Sequence, residues 1–327
     1  MALNRLTNRL SRGTTLSSDG AEHDHRRKLV AHRLLRRALR GIGENVDAQA
    51  AAVVDAALAR GEVDGVEDLA CALPMAVVPE LIGWPRDQRA NRLRWGGAIF
   101  DILGPLNGQA LKSLPASLRM LGYARRVVRE RSLIEGSVGH EVLLAADDGR
   151  VSHAELAPLM VDYIGPSLDT TISAIANALH LFAVHPEQWR RLKDDPALIP
   201  NAVNEIVRYE SPLRAFSRQA RHDTDIAGVS IAAGARVLVI YASANCDEYE
   251  WEAPDTFDIR RDATRQLGFG HGAHACAGQG LARLETQAML RALVERVDRF
   301  ELTSPPTWVV NNIIRRHERL PLKLIAA

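Results

Sequence analysis

One cysteine, Cys276, sits in a run of small residues: Leu267-Gly268-Phe269-Gly270-His271-Gly272-Ala273-His274-Ala275-Cys276-Ala277-Gly278. A thiolate is both a nucleophile and a metal ligand, and nearby positive charge or a helix N-terminus favours it. His274 lies two residues before Cys276, and the pattern from about Gln279 onward predicts a helix directly after it. The glycines strip side chains from the loop, so its backbone can approach a flat ligand closely and adopt positive φ. Such a loop suits a cysteine that ligates haem iron, the ligation that pushes electron density toward O–O cleavage. The competing reading is a buried structural cysteine beside a glycine-rich turn.

The stretch resembles the haem-ligand loop of the cytochrome P450 superfamily, Phe-Gly-x-Gly-x-His/Arg-x-Cys-x-Gly, and Phe269, Gly270, Gly272, His274, Cys276 and Gly278 fill every specified position. The resemblance runs from about Arg12 to the C-terminus. It implies Cys276 as the axial ligand of a haem b iron, in a mainly α, single-domain fold over residues 1–327. A helical domain would surround the haem, with small β-sheets. Asp19-Gly20-Ala21-Glu22-His23-Asp24-His25-Arg26-Arg27 resembles the start of the family's C helix, where a His and an Arg four apart face the haem propionates. His23 and Arg27 take those places, and i,i+4 spacing puts them on one helix face. Without the resemblance, this basic face reads as solvated surface. With it, Arg33, Arg36, Arg37 and Arg40 would offer a landing site to an acidic ferredoxin or flavodoxin.

Three further stretches carry the comparison. Gly165-Pro166-Ser167-Leu168-Asp169-Thr170-Thr171 resembles the Ala-Gly-x-Asp/Glu-Thr-Thr of the family's central helix, with Pro166 and Ser167 in place of Ala and Gly. Asp169 and Thr170 thereby take the catalytic roles, carboxylate for proton relay and hydroxyl for bound dioxygen; the plain alternative is a solvated polar patch on a helix. Glu205 and Arg208, an ordinary i,i+3 surface pair on spacing alone, resemble the family's Glu-x-x-Arg, joined by Arg261 or, alternatively, Arg260. That triad is structural. Arg218 matches a family arginine on a propionate, where the resemblance also places His274 beside His23 and Arg27, and Leu213, Ala215 and Phe216 match a turn lining the pocket. Arg214 in that turn meets either an anionic substrate or solvent.

Helices must position these residues. Asp19 with Glu22 forms a capping-box pattern before the first helix. Further helices are expected over Glu44–Arg60, Asp68–Ile82, Arg86–Leu103, Leu114–Leu133, Pro186–Asp195, Asn201–Tyr209 and Leu281–Phe300. Ser152 with Glu155 caps a long helix reaching His185, apolar on more than one face and therefore central. Proline at 166 predicts a kink within it. Asp225–Ile231 reads as a hairpin, Arg236–Tyr241 as a short buried strand and the C-terminal tail as a last strand pair.

The chain has 327 residues, 46% hydrophobic and 25% charged, with net charge +1, which fits a globular protein with a real core and no global field for nucleic acid. Three dispersed cysteines, Cys71, Cys246 and Cys276, make no disulfide framework and suit a reducing, cytoplasmic setting; Cys71 reads as core. No apolar run is long enough for a transmembrane span, and the N-terminus lacks a signal-peptide core. Family members usually carry a sizeable block before the C-helix motif, so the chain reads as N-terminally shortened. The functional expectation is a haem-thiolate monooxygenase, expected as a monomer. It would insert one atom of O2 into a small organic substrate with NAD(P)H electrons from a separate donor. The alternatives are a shortened, inactive haem-binding relative and peroxide-driven use, which an intact Asp169–Thr170 pair disfavours.

Overall fold

The computed structural model describes residues 13–34, 39–85 and 87–327. Its helices, in chain order, are α1 (Gly20–Leu34), α2 (Gly43–Arg60), α3 (Ala72–Ile82), α4 (Arg89–Leu103), α5 (Gly108–Arg129), α6 (Val138–Asp147), α7 (His153–Val184), α8 (Pro186–Asp194), α9 (Ile199–Glu210), the single turn α10 (Tyr241–Ala244) and α11 (Gln279–Arg296). The strands are β1 (Glu62–Asp64), β2 (Ala215–Gln219), β3 (Thr224–Ile226), β4 (Val229–Ile231), β5 (Arg236–Ile240), β6 (Val297–Leu302), β7 (Thr307–Trp308), β8 (His317–Arg319) and β9 (Pro321–Ala326). They form one three-stranded sheet, β1-β9-β6, and the pairs β2-β5, β3-β4 and β7-β8. The fold is mainly helical with small sheets, as the sequence implies.

The 32-residue α7 is the axis. Ser152 accepts the Ala154 N–H, and the Glu155 carboxylate accepts the Ser152 N–H, so the helix starts with a capping box. Leu156, Leu159, Leu168, Ile172, Ile175, Leu179 and Phe182 are all buried, on more than one face. A helix apolar on several sides has to be surrounded, and α3, α4, α5, α6, α9 and α11 all lie against it. Pro166 stays within the helix. Around it, Thr170, Thr171 and Ser173 hydroxyls donate to carbonyls four residues back, at 2.7, 3.2 and 2.6 Å. Hydroxyls thus bond locally beside a proline that lacks an N–H.

α1 is tied to this axis before the site is built. Asp162 on α7 accepts the Thr15 N–H at 2.6 Å. The buried Arg26 bridges Glu22 at 2.6 Å and Glu155. Asp19 and Glu22 therefore do not act as the expected cap pair: Glu22 faces Arg26, while Asp19 turns to His274 and Arg221.

Other elements depart from expectation for identifiable reasons. The helix expected over Leu281–Phe300 ends at Arg296, and β6 begins at Val297. A register shift between Val297 and Arg299 leaves both Val297 and Phe300 buried, so a bulged strand imitates helical i,i+3 spacing. α5 begins at Gly108, earlier than Leu114, because Asn107 caps it by accepting the Ala110 N–H at 3.0 Å. Asp68–Ile82 divides into a π-helical turn, Gly65–Ala70, and α3. α6 was not expected, although Ser137 caps it through the His140 N–H. β5 is solvent-facing: in a two-stranded sheet, Leu238, Val239 and Ile240 stay 48, 37 and 50% exposed. The β3–β4 hairpin turns at Ala227 and Gly228, both at positive φ. Arg12, Arg36, Arg37 and Arg86 lie outside the described residues.

Candidate functional site

The loop before α11 owes its course to its glycines. Gly270 and Gly272 have φ of 68° and 74°, a region other residues avoid. A Cβ on Gly268 would lie 2.4 Å from the Val207 side chain, so only glycine lets the loop sit so close to α9. The Cys276 N–H donates to Phe269 O at 2.8 Å, which folds the loop back on itself and brings Cys276 to the N-terminus of α11. Arg283, one turn into α11, lies over the Phe269 ring at 4.7 Å.

Cys276 is half-buried and free. Burial pushes its thiol above the ordinary value. The Gly278 and Gln279 N–H groups and the charges of Arg27 and Arg283 pull the other way without overcoming it. Cys71 is a different case: burial lifts its thiol to about 12, as befits a packed side chain.

α1 brings His23 and Arg27 to this loop. Arg27 donates to Ala275 O at 2.7 Å. The His23 ring lies 4.3 Å from the His274 ring, centroid to centroid. His23 is 1% exposed; Nδ1 meets Asp24 at 3.1 Å, while Nε2 is buried with no hydrogen-bond partner. His274 Nε2 meets Asp19 at 3.1 Å, and that bond holds the Asp19 carboxyl below its usual range. His23, Arg27, His274 and Cys276 are thus brought together. Arg218 on β2 is exposed and donates to Ser217 O and Tyr241 Oη at 3.0 Å each.

Behind the loop, Glu205 and Arg208 on α9 form a fully buried two-pronged pair at 2.7 and 2.8 Å. Arg261 adds a third group at 3.3 Å, while Arg260 pairs with Asp258. Arg208 also donates to Asn245 O at 2.8 Å, and Asn245 Oδ1 accepts the Leu267 N–H at 2.7 Å. The triad therefore connects through one asparagine to the start of the cysteine loop.

On α7, Asp169 is 1% exposed and bound by Arg316 at 2.7 Å, itself 8% exposed. Burial raises the Asp169 carboxyl, Arg316 opposes that, and Asp101 adds to it. Arg316 escaped sequence reasoning because it lies in the C-terminal tail, far along the chain. Also missed was Glu285 on α11, fully buried with both carboxylate oxygens unpartnered, which burial pushes to about 8; only its place among the helix's apolar positions hinted at it. Phe100, Ile313 and Ile314, with Leu103, Leu213 and Phe216, form an apolar cluster apart from the main core. Arg214 is half-buried, and its guanidinium donates to Asn311 O and Ile313 O at 2.5 and 3.4 Å. Arg33 is likewise occupied, by Glu141 at 2.8 Å.

A family model described as Cytochrome P450 matches residues 129–321. Cytochrome p450 CYP199A2 of Rhodopseudomonas palustris is 35% identical over 314 residues, which are 95% of this chain and 76% of that protein. The monooxygenase PikC of Streptomyces venezuelae is 34% identical over 94% of this chain and 75% of its own length. Among solved structures, epothilone B-bound cytochrome P450epoK superposes with a TM-score of 0.86 at 29% identity, covering 97% of this chain and 81% of the other. CalO2 gives 0.87 at 25%, covering 99 and 85%.

Proposed function

The chain belongs to the cytochrome P450 family, and from that premise we propose that it is a haem-thiolate monooxygenase whose iron is ligated by Cys276. When bound, the haem b supplies the activation of O2, one atom entering an organic substrate and the other leaving as water, with electrons from NAD(P)H. The residues fit that group. A glycine loop without large side chains can approach a flat macrocycle. Two backbone N–H groups at a helix N-terminus face the sulfur, and a metal cation would complete the deprotonation that burial resists.

His23 Nε2, buried and unpartnered beside Arg27, is a waiting position for a carboxylate. Arg27 uses one nitrogen on Ala275 O and keeps further N–H donors for the same purpose. His274 binds Asp19 and orients the pair. Arg218 uses two N–H groups on Ser217 O and Tyr241 Oη and keeps others for a propionate.

Thr170 donates to Pro166 O, and Asp169 is held by Arg316. For a proton relay, Thr170 rotates away from Pro166 O, and Asp169 passes protons from a site screened from bulk water. Phe100, Ile313, Ile314, Leu213 and Phe216 offer an apolar wall to a small organic substrate. A separate ferredoxin- or flavodoxin-type protein delivers the electrons at the face carrying the Cys276 loop.

The observation that carries this reading is Cys276 at a helix N-terminus, ringed by His23, Arg27 and His274. The haem-loaded chain, supplied with NAD(P)H, a surrogate ferredoxin and its reductase, is expected to place isotope-labelled oxygen from O2 in a turned-over substrate. Cys276→Ala is expected to place none. Reduction of O2 with no label in any substrate across a broad apolar panel contradicts a monooxygenase.

A further inference from the structure

Away from the haem cradle, α7 and the β7–β8 hairpin share a second polar cluster. His317 on β8 is 0% exposed, and both its ring nitrogens are buried without a partner. His180 on α7 lies beside it, ring centroids 4.6 Å apart, with a buried, unpartnered Nδ1. Asn177, one turn earlier on α7, is 0% exposed; its amide nitrogen donates to Arg315 O, and its Oδ1 is unpartnered. The side chains are held in place. Trp308 lies against His317, ring centroids 3.8 Å apart, and the Arg315 guanidinium lies over the Trp308 ring at 4.2 Å.

Unpaired buried polar atoms are rare in proteins, because each costs its full desolvation. Here four of them gather on three neighbouring side chains. Each neutral imidazole offers one lone pair and carries one N–H, and the amide carbonyl offers a further lone pair. Neutral imidazole is the form that ligates a metal, and Arg315 and Arg316 are the positive charges beside His317. Those two guanidiniums do not leave an unbalanced positive field, since Arg315 pairs with Glu210 at 2.5 Å and Arg316 with Asp169 at 2.7 Å.

We infer that His180 and His317, with the Asn177 carbonyl, form a site for a late first-row divalent cation such as Ni2+, Zn2+ or Cu2+. Nitrogen ligands favour these ions over Mg2+ or Ca2+. His180 is only partly buried and gives the approach from solvent. The cation clips the C-terminal hairpin to the central helix, far from Cys276 in sequence and independent of the haem.

The test is a Ni2+ titration of the haem-loaded chain, followed by calorimetry and by the thermal unfolding midpoint. The background is Cys246→Ser, because Cys246 is an exposed thiol. One equivalent is expected to bind, and the midpoint is expected to rise with Ni2+, since a ligand of the folded state stabilises it by mass action. His180→Ala, at a half-exposed position, is expected to weaken binding by roughly tenfold or more and to abolish the midpoint shift. Mg2+ is expected to do neither. His317→Gln is the second variant; should it not fold, His180→Ala alone decides. Absence of saturable Ni2+ binding, or binding that His180→Ala leaves unchanged, overturns the site and leaves the cluster to buried water.

Discussion

Glu285 shows what burial does to a single residue. Its carboxyl, unpartnered on α11, is pushed by burial to about 8, against an ordinary 4.5. Below the lower value both the folded and unfolded chains hold the proton. Between the two, the unfolded chain releases it and the folded chain keeps it, so stability falls as pH rises through that window. The difference corresponds to an effect on the order of 5 kcal/mol. Glu285→Gln removes it. Urea unfolding should show the variant gaining on the wild type from about pH 5 to about pH 8, and parallel curves for the two proteins would count against a buried neutral carboxyl. Such a residue is hard to read from sequence, because a lone glutamate in a helix normally faces water. Cys276 was the opposite case, since the cysteine, the glycines and His274 declare their chemistry by type and spacing.

At the scale of elements, the long helix from Ser152 was legible because both halves of its capping box and its apolar faces are local. The helix–strand boundary at Val297 was not, because a bulge copies helical spacing. Contacts between distant elements were least legible. The family resemblance offers Asp169 for a relay, but nothing in its own segment announces that Arg316 would hold it from the tail. This contact makes a separate prediction. Removing one partner of a buried ion pair leaves the other charge uncompensated, at a cost of about 3–5 kcal/mol. Arg316→Met should therefore destabilise the chain strongly, and Arg316→Met with Asp169→Asn should cost much less than the two single changes summed. Additive losses in urea unfolding would show that the two groups do not interact. Arg261 rather than Arg260 at Glu205 is a similar case: the alternatives were visible in sequence, and only the approach of the chain decides between them.

Across the whole molecule, the helical elements serve to bring remote short segments to one place. Arg26, Glu155 and Asp162 anchor α1 to α7, and α1 in turn delivers His23 and Arg27 to a loop more than two hundred residues later in the chain. The Glu205–Arg208–Arg261 group and Asn245 brace that loop from behind. The mainly helical class was legible from helical periodicity, and the family from a few short motifs. The Phe100, Ile313 and Ile314 cluster was not, because its members come from α4 and the tail and meet only in the fold. All of this converges on one claim, that Cys276 is the thiolate ligand of a haem. The most direct test is the difference spectrum of the reduced, haem-reconstituted chain with and without carbon monoxide. The wild-type chain is predicted to give the band of a thiolate-ligated haem, and Cys276→His to bind haem yet lose that band. A wild-type spectrum without the thiolate band, or a Cys276→His spectrum that retains it, would contradict the assignment.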